Sequence, residues 1–247
     1  MNKKIIFSFL GSLLFLTQAA NAEIKFGNPK DPSATLSFNA GYNSTYVSRG
    51  IDSNSGSGAP YIGADLNTAI GLYLGTWTSA ALNGSSTQEV DVYGGIKKTF
   101  GPVTGDIGII TYQYPGSIPN SATNYTEGYV KLTVAPDKAP YSVGISYYKE
   151  DTKGAVITSG TRIVASGIGK TYQEVNATYD FGPVQSLISY GKYKDQTDTT
   201  TVTLSKSISD IGFAVSYINA STKGTTTNTI APTRDRDFVV LNISKTF

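Results

Sequence analysis

Beyond residue 22, the chain consists of short segments in which apolar and polar residues alternate, and no helical period of 3.6 residues is sustained. In residues 141–148, for example, Val143 and Ile145 share one face while Ser142 and Ser146 share the other. Because a strand points successive side chains to opposite faces, such segments predict half-buried β-strands. The predicted fold class is therefore all-β.

Twelve such segments can be placed, or ten or fourteen if a pair has been split or merged. They cover residues 36–49, 59–67, 71–81, 88–97, 105–114, 124–134, 141–150, 170–179, 184–193, 199–206, 211–218 and 237–247. Tight turns, such as Phe-Gly-Pro at 100–102, alternate with longer polar loops, such as 151–169. This alternation predicts a transmembrane antiparallel up-and-down barrel with two unlike ends. No stretch after residue 22 approaches 18 uninterrupted apolar residues, which excludes a helical membrane protein.

The two faces of the segments favour a barrel over a soluble sandwich with an aromatic core, which is the alternative. In 88–97 and 124–134, one face is apolar and the other carries acids, lysines and tyrosines. A basic residue at mid-depth on a lipid-facing surface would cost about 2 to 4 kcal/mol. The proposed lipid faces carry Lys149, Lys206 and Lys245, each near a strand end from which it can reach the interface.

Both ends of the chain agree with an outer-membrane location in a Gram-negative bacterium. Residues 1–22 have a basic start, an apolar run of about 12 residues and the small-residue ending Ala-Asn-Ala, which predicts a cleaved signal peptide. Residues 23–35 would form a periplasmic leader and 36–247 the barrel. The last strand ends on Phe247, and a strand with a C-terminal aromatic resembles the closing strand of outer-membrane barrels, where that residue is the assembly signal.

Charge and composition remove several classes of function. Without the two lysines of the signal, 18 basic residues balance 18 acidic ones, and no basic cluster indicates a nucleic-acid partner. The chain has no cysteine and no histidine, so the usual general base, the Ser-His-Asp triad and the commonest metal ligand are missing. We therefore expect no enzyme activity, no catalytic residue, no metal and no cofactor.

Several motifs resemble one family. They are NSTYVSRGI at 43–51, GAD at 63–65, GLYLGTW at 71–77, DIGIITYQYPG at 106–116 and YTEGYV at 125–130. Together they are similar to the TorF family of porins, also called the Gcw_chp domain, over roughly residues 36–247. The resemblance implies an outer-membrane β-barrel named a porin by inference, with no established substrate. The chain departs from the family at Ser48, where an aromatic is expected, and at Lys245.

Function must then come from the lumen, so the candidate site is the set of polar and aromatic side chains predicted to point inward. These pore-lining candidates are Arg49, Asp65, Tyr73, Trp77, Glu89, Asp91, Tyr93, Lys97, Glu127, Lys131 and Glu174. Opposed acids and bases around a water-filled channel would set its ion preference. The predicted function is passive diffusion of small polar solutes or ions, with outer-membrane lipid and the assembly machinery as further partners.

Two alternatives stay open. The inward charges could pair across neighbouring strands and fill a closed interior, leaving a non-conducting barrel that presents its loops to partners. The loop at 151–169 could fold inward as a constriction or stand outward as a contact surface. Glu89 and Asp91 lie two apart on one strand face, but they lack the further oxygen ligands that calcium takes, so lumen electrostatics is their predicted use.

Overall fold

The computed structural model describes residues 23–80, 88–115, 124–151, 156–159, 162–165, 169–222 and 234–247. The predicted signal peptide at 1–22, the loop at 82–87, most of the loop at 115–123 and about half of the loop at 151–169 lie outside these residues, so the direction of that last loop stays a prediction. Within the described ranges, no helix is long and apolar enough to cross a membrane.

Seventeen strands are present in the described residues. They are β1 (Ile24–Asn28), β2 (Asp31–Asn43), β3 (Val47–Ser48), β4 (Ile51–Asp52), β5 (Ala59–Thr68), β6 (Leu72–Ala80), β7 (Gln88–Phe100), β8 (Val103–Gln113), β9 (Tyr125–Val134), β10 (Tyr141–Glu150), β11 (Val156–Ser159), β12 (Arg162–Ala165), β13 (Thr171–Asp180), β14 (Gln185–Tyr193), β15 (Thr197–Ile208), β16 (Ile211–Thr222) and β17 (Arg234–Thr246).

Twelve of these strands form a closed antiparallel ring. The order around the wall is β2, β5, β6, β7, β8, β9, β10, β13, β14, β15, β16 and β17, and β17 pairs with β2 to close it. The predicted twelve-stranded barrel is confirmed. Two short hairpins, β3–β4 and β11–β12, lie outside the wall sheet.

The side chains of the wall alternate between an outward, mainly apolar face and an inward, mainly polar face. On β10, Val143 and Ile145 are exposed on the outside, whereas Ser142 and Ser146 are buried on the inside. β8 and β14 follow the same rule with an apolar residue turned inward, since Ile110 and Leu187 are both buried. A small barrel fills its interior with side chains, so such residues pack inside without breaking the pattern.

The first predicted strand, 36–49, is wrong in its second half. β2 ends at Asn43, and the chain then leaves the wall and enters the barrel instead of continuing as a strand. The Ser44 backbone N–H donates to the carbonyl of Leu241 on β17 at 2.8 Å, and the Ser44 hydroxyl accepts from the Leu241 N–H at 2.9 Å. These bonds complete the last rung before the chain turns inward.

The seam of the barrel lies along one edge of β2, which pairs with two strands in turn. β17 pairs with the second half of β2, and β1 pairs with the first half through a hairpin. Phe247 sits at the junction, where its N–H donates to the carbonyl of Phe38 at 2.6 Å and its carbonyl accepts from the Phe38 N–H at 2.9 Å. The segment predicted as a leader, 23–35, therefore holds β1 and the start of β2, and the C-terminal residue takes part in ring closure.

Candidate functional site

One side of the lumen, which we call the charged wall, is formed by the inward faces of β7, β8, β9, β10 and β13. Its buried side chains include acids, one lysine and a continuous group of aromatic rings, together with Ile110, Ser142 and Ser146. The buried cluster comprises Tyr93, Ile110, Tyr112, Tyr129, Tyr148, Tyr172 and Tyr193, with Tyr73, Trp77, Tyr114 and Tyr125 packed against it. Neighbouring rings pack closely, as in the stacked pair Tyr112–Tyr125 with centroids 4.5 Å apart. Aromatic packing of this kind fixes the wall in one arrangement.

The opposite side, which we call the neutral wall, is formed by β15, β16, β17 and β2. Its buried side chains are small and uncharged: Thr197, Thr199, Thr201, Thr203, Ala214, Ser216, Ala220, Asn242 and Ser244, with Ile218 and Val240. Threonine suits a strand because its β-branched side chain is restricted in the extended conformation. Short side chains here leave space inside the barrel, and that space is occupied by the chain itself.

Residues 44–58 fold into this space, and we call them the lumen hairpin. β3 and β4 pair with Val47 opposite Asp52 and Ser48 opposite Ile51, so Arg49 and Gly50 form a two-residue turn. Both turn residues have positive φ, 50° for Arg49 and 78° for Gly50. This is the backbone of a type I′ turn, in which Asn or Gly is usual at the first position. An arginine in the left-handed region is strained by about 1–2 kcal/mol, so other contacts must hold it there.

The hairpin is anchored on the neutral wall by close packing. Val47 packs against Ile218 on β16 and Val240 on β17 in a small buried cluster. The hydroxyl of Thr197 donates to the Arg49 carbonyl at 2.6 Å. Gly50 lies so near the wall that a Cβ atom there would be 2.4 Å from the Thr199 hydroxyl oxygen. The hairpin backbone is therefore seated against small side chains that only a glycine can approach this closely.

From this seat, the Arg49 side chain crosses to the charged wall. Its Nη1 and Nη2 atoms donate to the two carboxylate oxygens of Glu127 on β9 at 2.7 and 2.6 Å. β9 stands directly opposite β17 in the ring of twelve, so the hairpin seated on the neutral wall and this ion pair together cross the lumen. The guanidinium also lies over the rings of Tyr148 and Tyr172, at 5.0 and 4.6 Å from their centroids. A two-pronged ion pair enclosed by aromatic faces is the strongest polar contact type available to arginine.

A second contact ties the hairpin to the charged wall nearer β6 and β7. The Tyr46 hydroxyl donates to Glu89 at 3.0 Å, and its ring lies 5.7 Å from that of Trp77. Tyr46 and Arg49 thus reach the charged wall at two separate points. The lumen hairpin is therefore held by contacts to both walls, and we call this bridge across the lumen a crossbar.

Three further inward acids accept hydrogen bonds from tyrosine hydroxyls, and one of them, Asp106, also has Lys97 and Lys131 as its direct cross-strand neighbours. Tyr93 donates to Asp65 at 2.6 Å, and Tyr73 donates to Asp106 at 2.7 Å. Tyr172 likewise donates to Glu174 at 2.7 Å. Neutral donors satisfy the carboxylate oxygens without cancelling their charge. The tyrosine hydroxyls therefore order these acids without adding positive charge of their own.

The predicted pore-lining residues are all turned toward the interior. Asp65, Tyr73, Trp77, Glu89, Asp91, Tyr93, Lys97, Glu127, Lys131 and Glu174 lie on inward faces of wall strands, while Arg49 lies on the lumen hairpin instead of a strand. Their function as a pore lining stays a prediction. The structure brings Arg49, Glu89, Asp91 and Glu127 into one neighbourhood and leaves Asp65 and Lys97 in another.

Sequence reasoning missed several members of the site. Asp106 and Glu150 both point inward, as do the hydroxyl of Tyr112 and the hairpin residue Tyr46. Strict alternation from Tyr112 would have placed Asp106 on the inner face. For the hairpin, the available signal was Arg-Gly at 49–50 between two polar runs, which is weaker than the Asn-Gly pair that marks most tight hairpins.

The described inward charges are predominantly acidic. Seven acids on the inward faces of the wall strands are buried or half-buried, namely Asp65, Glu89, Asp91, Asp106, Glu127, Glu150 and Glu174, and Asp52 is half-buried on the lumen hairpin. The matching basic side chains are Arg49, Lys97, Lys131 and, at the rim, Lys170. Within the described residues, no group of three His, Cys, Asp or Glu is arranged to hold a metal ion.

Comparisons with known proteins agree with the fold. The Gcw_chp family model, described as a bacterial protein of unknown function, matches residues 28–247. Among solved structures, a KdgM porin superposes with a TM-score of 0.56 at 12% identity, covering 85% of this chain and 98% of that one. A KdgM porin in complex with disordered oligogalacturonate gives 0.55 at 12% identity, covering 87% and 98%.

A NanC porin also superposes, with a TM-score of 0.52 at 13% identity, and the match covers 85% of this chain and 97% of that chain. No curated protein matches in sequence. Identities this low show a shared barrel fold and nothing about what passes through it. The predicted family is confirmed under the name Gcw_chp, whereas the name TorF stays a prediction.

Proposed function

Because the chain belongs to the Gcw_chp family and forms a closed barrel of twelve strands, we propose that it is an outer-membrane porin through which small polar solutes or ions diffuse passively. The observation that carries this proposal is the division between the two faces of the wall. Val143, Ile145 and Leu241 are typical of the outer face, which is exposed and apolar. Charged and hydroxyl side chains occupy the inner face, as in barrels that enclose an aqueous path.

The charge balance of the lumen indicates which ions the pore would favour. The inward faces of the wall strands carry seven buried or half-buried acids and two lysines, and Arg49 of the hairpin is already paired with Glu127. A solute passing between the lumen hairpin and the charged wall would meet net negative charge in a confined space, where screening is weak. We therefore propose that the pore favours cations over anions.

Planar bilayer recording in a potassium chloride gradient tests both parts of the proposal. Discrete conductance steps with a reversal potential of the sign set by cation flow are expected. Charge reversal at Asp91 and Glu89 to lysine should shift the reversal potential toward anion preference. The matched control is Asp137→Lys, since Asp137 is exposed in the turn between β9 and β10. A pore that favours anions before any substitution would refute the cation preference.

A specific observation favours a second candidate, the non-conducting barrel that presents its loops to partners. The lumen hairpin contacts both the neutral and the charged walls, and it crosses the interior together with the Arg49–Glu127 pair. Such a crossbar could close the path. A folded barrel that stays silent both as wild type and after replacement of residues 45–57 by a short Gly-Ser linker would support this candidate and refute the porin.

Opening of a silent barrel by that replacement would instead support a pore that the hairpin occludes. Folding of each variant is checked by heat-modifiable migration in gels, because a misfolded barrel is silent for a trivial reason. An ordinary porin conducts before and after the replacement, with larger steps afterwards.

A further inference from the structure

Asp91, with Glu89 two residues before it on β7, stands apart from the other inward acids because aromatic side chains flank Asp91 on both sides. β7 turns both carboxylates inward, and they are 5% and 2% exposed. Trp77 on β6 is the direct cross-strand neighbour of Asp91, and Tyr112 on β8 is its neighbour on the other side. Side chains in such positions have Cβ atoms about 5 Å apart. Asp91 therefore lies between two aromatic side chains.

Among the described residues, the cation that acts on both acids, Arg49, is bound to a different acid. Asp91 lies within electrostatic range of Glu89, Glu127 and Arg49, but Arg49 directs both terminal nitrogens to Glu127. The Oδ1 atom of Asp91 is buried and accepts no hydrogen bond from any described residue. Buried polar atoms without a partner are rare in proteins and often mark a place that a ligand completes.

The donors and acceptors present at this point favour an organic cation over a metal ion. Two carboxylates on one strand do not supply the six to eight oxygen ligands that calcium takes, and the Glu89 carboxylate already accepts a hydrogen bond from Tyr46 at 3.0 Å. Aromatic faces attract ammonium groups, and the Trp77 ring is the strongest of these because indole has the largest quadrupole. An ammonium N–H would supply the donor that Asp91 Oδ1 lacks.

We propose that Glu89 and Asp91, with Trp77 and the Tyr46 ring of the lumen hairpin, bind a small primary ammonium ion. This site rests on the proposed porin function and names the class of solute that the lumen selects. The bound cation would place its N–H groups on the carboxylates and its carbon chain against the rings. Because Tyr46 belongs to the hairpin, an occupied site adds a contact between hairpin and charged wall.

Trp77 gives a direct readout, since it is the single tryptophan of the chain. The folded barrel, purified in detergent, is titrated with putrescine at constant ionic strength while tryptophan emission is recorded, and 1,4-butanediol serves as a neutral probe of the same length. Putrescine should give a saturable change in emission and the diol none. No saturable change, or an equal response to the diol, would overturn the site.

Variants locate the binding. Asp91→Asn should weaken putrescine binding at least tenfold, and Glu89→Gln provides a second test if the first variant fails the heat-modifiability check. The control Asp137→Asn removes one negative charge from an exposed turn and should leave the affinity within twofold. Equal binding by the wild type, Asp91→Asn and Glu89→Gln would show that general charge attraction explains the response and would refute the site.

Binding is measured without an electric field, so the two proposals can fail separately. If the barrel binds putrescine through Asp91 but never conducts, the ammonium site is supported and the porin function is refuted. A barrel that conducts cations without a saturable response at Trp77 keeps the pore and refutes the site.

Discussion

Removing the Arg49 guanidinium tests whether an ion pair holds the lumen hairpin in place. In the Arg49→Ala variant, Glu127 would lose two hydrogen bonds of 2.7 and 2.6 Å while being 0% exposed. Leaving one partner of a buried pair uncompensated costs about 3–5 kcal/mol. Water in the lumen can reach the vacated side of the carboxylate, so we expect a loss near the lower end, about 3 kcal/mol.

Two further variants separate the effect of the lost charge on stability from the effect of backbone strain at residue 49. Arg49 has a φ of 50°, which glycine adopts more readily than alanine, so Arg49→Gly should be about 1 kcal/mol more stable than Arg49→Ala. The double variant Arg49→Ala with Glu127→Gln removes the orphaned charge and should recover about half of the loss. Lys138 is the matched control, because it is exposed in a turn with a φ of 62° and has the same backbone strain.

Urea unfolding of the barrel in lipid vesicles, followed by Trp77 emission, measures these differences. The Lys138→Ala variant should change the free energy of unfolding by less than about 0.5 kcal/mol. An Arg49→Ala variant that unfolds within 1 kcal/mol of wild type would refute the reasoning. A double variant no more stable than the single one would show that the cost does not come from the uncompensated Glu127.

Three other predictions concern the hairpin seat, the outer face and the C-terminus. Gly50→Ala should displace the hairpin and change the single-channel conductance, because its Cβ would lie 2.4 Å from the Thr199 hydroxyl oxygen. The control Gly56→Ala, at a glycine with a similar φ but no neighbour within 4 Å, should leave the conductance unchanged. Ile145→Arg should lower the free energy of unfolding in vesicles by about 2–4 kcal/mol, while Lys149→Arg near the strand end should not lower it. Phe247→Ala should lower the amount of barrel in outer membranes while leaving refolding in vitro nearly unchanged, since the backbone bonds to Phe38 do not need the ring; equal losses in both assays would argue against an assembly signal.

The wall of the barrel could be predicted from the sequence because its rule is local. A strand in which every second residue is apolar can turn its apolar face to the outside and its polar face to the lumen in only one way. In β10, this alternation runs from Tyr141 to Glu150 without a break. Ile107 and Ile109, which share a face with Thr111, also point outward as the alternation requires. Pairing order followed from short connectors between successive strands.

The lumen hairpin could not be predicted because its position depends on distant residues. Residues 44–49 continue the alternation of β2, so local pattern alone extends the strand. Three contacts fix the inward turn of the chain. Ser44 hydrogen-bonds to Leu241 on β17, and Val47 packs against Ile218. Arg49 pairs with Glu127, which is 78 residues away along the chain. Such contacts cannot be recognised in the sequence, since nothing near Arg49 marks Glu127 as its partner.

The asymmetry of the lumen follows from that hairpin. A backbone that approaches a wall as closely as Gly50 does requires short side chains opposite, and Thr199 and Ala220 are such side chains. Among the described residues, the buried charged side chains of the wall lie on the other side, where Arg49 binds Glu127 and not Glu89 or Asp91. Under the proposed function, a solute would pass between the hairpin and the wall that carries these acids. The hairpin that narrows the path therefore also determines which charge the path presents.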